Sequence, residues 1–208
     1  MKEILLNINA DVGEGIGNEH LLFPLISSCN IACGGHTGDS ESMLAIVKLA
    51  KKYKLKMGAH PSFPDKKNFG RKTISISKDE LLKSLIYQIE SLNRILITEN
   101  CSLHHVKPHG ALYNLAANDK ETAKIIVDIM KKINVKLYVP YSSLIAEIAK
   151  KANVQIYYEL FLDRNYNSDL TLVSRKNDNA LIKDSNVMFK HAYSIINNKT
   201  IISVAQIK

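Results

Sequence analysis

Cysteine is scarce in this 208-residue chain: Cys29, Cys33 and Cys101 are the whole supply. An odd count without a Cys-x-x-Cys pair argues against a disulfide framework and against a structural zinc knot. Cys29 and Cys33 fall in a buried-strand pattern and read as core packing in a reducing compartment. Long apolar runs are absent too, since none approaches the roughly 20 residues of a membrane span. Lys2 and Glu3 precede only five apolar-rich residues, too few for the apolar region of a signal peptide, so the expected location is the cytoplasm. Arginines are few. The formal net charge of +8 comes from lysines scattered over helical segments, among them Lys48, Lys51, Lys52, Lys131, Lys132, Lys150 and Lys151. Without interleaved aromatics they form no nucleic-acid-binding stripe. Repeats, linkers and low-complexity segments are also missing. With 46% apolar and 23% charged residues, an ordinary globular balance, residues 1–208 read as one domain.

Two nucleotide signatures are lacking as well. Gly13-Glu14-Gly15-Ile16-Gly17 carries a carboxylate where the pyrophosphate of a Gly-x-Gly-x-x-Gly turn would sit, and no Gly-x-x-x-x-Gly-Lys-Ser/Thr loop occurs.

What is present is an alternation. Strand-like apolar runs cover residues 4–8, 29–33, 55–59, 103–106, 135–139 and 154–158. Helical spacing covers 19–27, 40–53, 77–97, 120–133, 142–152 and 184–197. Asp39 or Ser40 is placed to cap the second of these helices, and Ser77-Lys78-Asp79-Glu80 is a capping box for the third. A less regular piece includes 170–173 and 180–182, and a last strand-like run spans 201–207. Helical crossovers between short buried strands require a mainly parallel sheet, either open and doubly wound or closed as a barrel.

The polar tips of the strand-like runs favour the barrel, where side chains just past the strand ends converge on one mouth. The runs lead into Asn9-Ala10-Asp11-Val12-Gly13-Glu14, into Gly34-Gly35-His36-Thr37-Gly38-Asp39, into His60-Pro61 and into Lys107-Pro108-His109-Gly110. Asp11, His60 and His109 have the identities that bind a divalent first-row metal and leave a position for water. Glu14 is a candidate general base, with His36 and Asp39 as further ligands, orienting groups or proton carriers. Lys107 sets an ammonium at the same rim, and Arg71 and Arg164 are the other candidates for binding an anionic substrate. His20, His104 and His191 read as surface or packing residues.

These motifs, with Gly58-Ala59-His60-Pro61-Ser62-Phe63-Pro64-Asp65, Phe69-Gly70-Arg71, Val106-Lys107-Pro108-His109-Gly110-Ala111-Leu112-Tyr113-Asn114, Glu159-x-Phe161-x-Asp163-Arg164-x-Tyr166 and Val173-x-Arg175, resemble the LamB/YcsF family over residues 4–208. The resemblance implies a distorted (β/α) barrel akin to the glycoside hydrolase and deacetylase barrels. It implies ATP-dependent opening of the lactam 5-oxo-L-proline to L-glutamate, with Mg²⁺ and two partner subunits, B and C. Similarity to the barrel deacetylases carries the metal onto Asp11, His60 and His109. The chain departs from the family at Asn7, Gly35, Asn68, Lys72, Leu162 and Leu170. It ends at Lys208, about forty residues before most members, and lacks their late Val-His-Gly-Asp motif, so the expected barrel is incompletely closed with residues 201–207 at an edge. The alternative readings are a metal-dependent deacetylase and a non-catalytic scaffold subunit.

Overall fold

A computed structural model describes residues 7–198. The chain divides into two compact units, the first ending at Tyr158 and the second starting at Glu159.

The first unit is built on six strands in unbroken sequential order: β1 (Asn9–Val12), β2 (Ser28–Ala32), β3 (Lys56–His60), β4 (His105–Val106), β5 (Lys136–Pro140) and β6 (Ile156–Glu159, whose last residue opens the second unit). The strands are parallel and helices make the crossovers, giving an α/β sheet curled into an open, distorted barrel. The crossover helices are α1 (Glu19–Leu22), α2 (Ser40–Lys52), α3 (Lys78–Thr98), α4 (Gly110–Ala116), α5 (Lys120–Ile133) and α6 (Leu144–Lys151).

Local chemistry sets the helix bounds. Asp39 caps α2, accepting from the Ser42 amide at 2.8 Å. At α3 the Ser77–Glu80 capping box forms as the sequence predicts. Asp119 caps α5, and Asn134 ends it in the left-handed region at φ 49°.

Alternation along the strands separates two faces. Cys29, Ile31, Met57, Ala59, Val106, Leu137 and Val139 join the apolar cluster that buries Val47 of α2, Leu85, Ile89 and Leu92 of α3, Ile126 and Met130 of α5 and Ile145 of α6. Each buried large aliphatic contributes about 1.5–3 kcal/mol. Cys29 of β2 and Cys33, just past its end, lie in this layer as expected, and burial pushes both thiols up to about 12. The opposite face is polar: Asn9, Asp11, Ser28, Asn30, His60, His105 and Lys107 hydrogen-bond among themselves or with near neighbours. A barrel interior filled by hydrogen-bonded polar side chains differs from the usual branched aliphatic layers, and it is what places the site.

The second unit has two isolated antiparallel bridges, Arg164 with Leu181 and Tyr166 with Leu172, then α7 (Ser185–Tyr193), capped by Asp184, and a wider turn over Ser194–Asn198. The run 201–207 lies outside the described residues.

A candidate metal centre at the strand ends

Register builds the site. Asp11 is the third residue of β1 and pairs with Asn30. His60 is the last residue of β3, and His109 follows β4 by three residues, as the N-cap of α4. Gly13, at φ 72°, turns the chain so that Glu14 folds back over the strand ends. Glu14 Oε1 then lies 3.0 Å from His36 Nε2, 3.5 Å from His109 Nδ1 and 3.9 Å from His60 Nε2.

The histidine tautomers follow from their outer partners. His60 Nδ1 donates to the Lys107 carbonyl at 2.7 Å, and His109 Nε2 donates to the Phe69 carbonyl at 2.9 Å. A carbonyl only accepts, so each hydrogen sits on the outward nitrogen. The inward nitrogens, His60 Nε2 and His109 Nδ1, are 3.0 Å apart, and Asp11 Oδ2 is 3.3 Å from the former. The His36 ring stacks on that of His109 with centroids 3.7 Å apart, and Phe69 meets both edge-on. Gly70 allows this closeness: it sits at φ 62°, and a Cβ there would lie 2.9 Å from His36 Cβ and 3.1 Å from His109 Cδ2.

Electrostatics agree with a cation-seeking centre. Burial, assisted by the neighbouring His60 and then His36 imidazoles, lowers His109 to about 2, so its inward nitrogen keeps its lone pair. Burial also lowers His36. Burial pushes Asp11 up, but the His60 imidazole beside it and the Lys107 ammonium that donates to it outweigh burial and hold the carboxyl well below the usual carboxylate range. Lys107 Nζ donates to Asp11 Oδ1 at 3.0 Å and to Asn9 Oδ1 at 3.4 Å.

Glu14, His36, His60 and His109 offer donor atoms that all lie within 4.8 Å of one another, a set fit for a divalent cation. Asp11 borders it through His60. Six of the sequence-predicted residues therefore meet: Asp11, Glu14, His36, His60, Lys107 and His109. The others are elsewhere engaged. Asp39 caps α2. Arg71 is exposed, its guanidinium 4.9 Å from the centre of the Phe69 ring. Arg164 lies in the second unit, where it is buried and donates to the carbonyls of Ala180 and Val173.

A model of the LamB/YcsF family matches residues 6–208. The A-subunit of a 5-oxoprolinase from Staphylococcus aureus (strain JH9) is 39% identical over 205 residues, covering 95% of this chain and 82% of the relative. The chain belongs to the LamB/YcsF family. A crystal structure of a lactam utilization protein from Thermus thermophilus superposes on this LamB/YcsF chain with a TM-score of 0.91 at 35% identity, covering 97% of this chain and 84% of that one. A protein of Enterococcus faecalis V583, provisionally named for cellobiose-phosphate cleavage, shares the fold alone. Its TM-score is 0.59 at 14% identity, over 92% of this chain and 75% of that one.

Asn30 and His105 escape a reading by strand tips. Asn30 is fully buried mid-strand in β2, and its Nδ2 donates to Asp11 Oδ1 at 2.8 Å and Asn9 Oδ1 at 2.6 Å. His105, also fully buried, donates from Nε2 to Asn30 Oδ1 at 2.7 Å. The available signal is polar residues at every second place within apolar runs, as in Asn7-Ile8-Asn9-Ala10-Asp11 and Ser28-Cys29-Asn30-Ile31-Ala32.

Proposed function

We propose that this LamB/YcsF chain is the subunit of an ATP-dependent 5-oxoprolinase that opens the lactam of 5-oxo-L-proline to L-glutamate, acting in the cytoplasm with partner subunits B and C. The observation that carries this reading is the ring of inward lone pairs and carboxylates at the barrel mouth, in a chain similar to the A-subunit of a 5-oxoprolinase and to a lactam utilization protein.

An unstrained five-membered lactam keeps its amide resonance, so hydrolysis draws on ATP. With no phosphate-cradling loop in this sequence, we assign nucleotide and Mg²⁺ binding to the partners. Glu14, His36, His60 and His109 would hold a divalent cation, which would supply Lewis-acid polarisation of a bound oxygen. Asp11, kept ionised by Lys107, accepts the proton of the attacking water. The lactam oxygen takes the γ-phosphoryl group of ATP and ADP leaves. The water oxygen bonds to the activated carbon, the carbon–nitrogen bond breaks as the ring nitrogen takes a proton and leaves as an amine, and a second water releases phosphate from the resulting acyl phosphate. Asp11, having taken the water's proton, is the group placed to hand it on to the leaving nitrogen. Arg71, exposed beside Phe69, meets the substrate carboxylate.

The test is reconstitution. Glutamate release is expected only when the chain, both partner subunits, ATP and Mg²⁺ are combined. ATP-independent amide cleavage by the isolated chain overturns the proposal in favour of a metal-dependent deacetylase, which the same donor set would serve.

A further inference from the structure

One register row crosses five strands: Asp11 pairs with Asn30, Asn30 with Gly58, Gly58 with His105 and His105 with Lys136. Gly58 has no side chain, and the His105 imidazole lies over that place. A Cβ on Gly58 would fall 2.2 to 2.5 Å from three atoms of the ring. This lets His105 reach past β3 to Asn30. Its other face stacks on Tyr138, with centroids 4.2 Å apart and planes within 15°.

The direction of each hydrogen bond along this row is fixed from both ends. From the Asp11 end, a carboxylate only accepts, so Asn30 turns its Nδ2 to Asp11 and its Oδ1 to His105. His105 Nε2 therefore carries the hydrogen, and its Nδ1 is a lone pair. From the other end, the Lys136 ammonium only donates, and it lies 3.3 Å from His104 Nε2. His104 then carries its hydrogen on Nδ1, which lies 3.0 Å from His105 Nδ1. The two deductions meet with one donor facing one acceptor.

We propose that Asn30 and His105 are positioning residues that fix the rotamer of Asp11 from beneath, a role that rests on Asp11 belonging to the active site. The row carries orientation, not protons, because an amide passes a proton only through its imidic acid form. Lys136 and His104 set the tautomer of His105, His105 sets the amide direction of Asn30, and Asn30 holds Asp11 Oδ1 while Oδ2 stays turned to His60. A carboxylate left to rotate loses the alignment on which rate depends.

The experiment compares His105→Gln, His105→Asn and His105→Phe. Glutamine sets its amide nitrogen where Nε2 stands, asparagine sets it near Nδ1, and phenylalanine keeps the stack without a donor. In the reconstituted complex, kcat should fall about tenfold or more in His105→Asn and His105→Phe with KM little changed, and His105→Gln should stay within about threefold of the parent. Nitrogen NMR on the isolated chain, which needs no turnover, should show His105 with its hydrogen on Nε2 and His104 with its hydrogen on Nδ1. The Asn30 side-chain amide should exchange with solvent at the parental rate in His105→Gln and about tenfold faster in His105→Asn. A His105 hydrogen on Nδ1, or equal behaviour of the glutamine and asparagine variants, overturns the proposal. An inactive parental complex with the expected tautomers and exchange would instead count against the hydrolase reading. Should His105→Phe not fold, the glutamine–asparagine pair still decides.

Discussion

His60 Nε2 and His109 Nδ1 face each other across 3.0 Å, and each imidazole has already given its hydrogen to a backbone carbonyl. Two lone pairs at that separation repel, so the arrangement is favourable when a cation or a shared proton lies between them. Glu14 and Asp11 on the same centre deepen that demand.

The first prediction is therefore metal binding. The purified chain should take up one divalent first-row ion, and His60→Ala or His109→Ala should abolish uptake in equilibrium dialysis. A chelator should lower the melting temperature of the parent and leave both variants unmoved. A parental chain that binds no ion would refute this.

Gly70 is the second point of leverage. Alanine there is strained at φ 62° and drives its Cβ toward His36 and His109. Gly70→Ala should cost about 1–3 kcal/mol in urea unfolding. It should weaken metal affinity at the same time, because the stacked imidazoles must separate. An unchanged unfolding midpoint would show that the loop yields freely.

Lys107→Met removes the ammonium that helps to hold Asp11 down. The Asp11 carboxyl should titrate higher in the variant, read by carbon NMR of the side chain. The sign for stability follows. A depressed folded value means that Asp11 contributes stability above its unfolded value, near 3.8, and loses it as pH falls through the folded one. The variant should lose this contribution and unfold more easily at neutral pH.

Histidine burial acts in a different window. Burial, with smaller effects from the charges of His104 and Lys107, lowers His105 from 6.5 to about 2. Below pH 6.5 the unfolded chain binds a proton that folded His105 refuses. Stability should therefore drop as pH falls, by at most about 1.4 kcal/mol per unit from this one ring. With chelator present, His105→Gln should flatten the decline in urea midpoint between pH 7.5 and 5.5, about the range where an unfolded histidine gains its proton. A parallel decline in both proteins would assign the acid sensitivity to other groups.

Much of the fold is legible in the sequence because helix signals are local. The helix expected over 120–133 is α5, Lys120–Ile133, and the box at Ser77 marks the start of α3. The misplacements along the strands have one physical origin, the polar barrel interior. Asn9, Ala10 and Asp11 read as a tip beyond a strand at 4–8, yet they are strand residues, since on this face a polar side chain does not end a strand. His105 stayed unread for the same reason. Helix α4 went unread because seven residues beginning with glycine, with no side-chain cap, show no period. The gathering of Asp11, Glu14, His36, His60, Lys107 and His109 was legible because each follows an apolar run. That Lys107 turns inward onto Asp11 needs the third dimension.

Sequential strand order has a consequence for how the molecule comes into being. Among the described residues, every sheet pairing joins strands that are neighbours along the chain, so each new strand docks on an edge already made. The cation-seeking residues all precede Gly110, and the chain leaves the ribosome from its N-terminal end. Four strands and two long helices thus suffice to bring the donors together before the remaining crossovers exist. A donor set completed so early is open to a cation while the rest of the sheet is still being added.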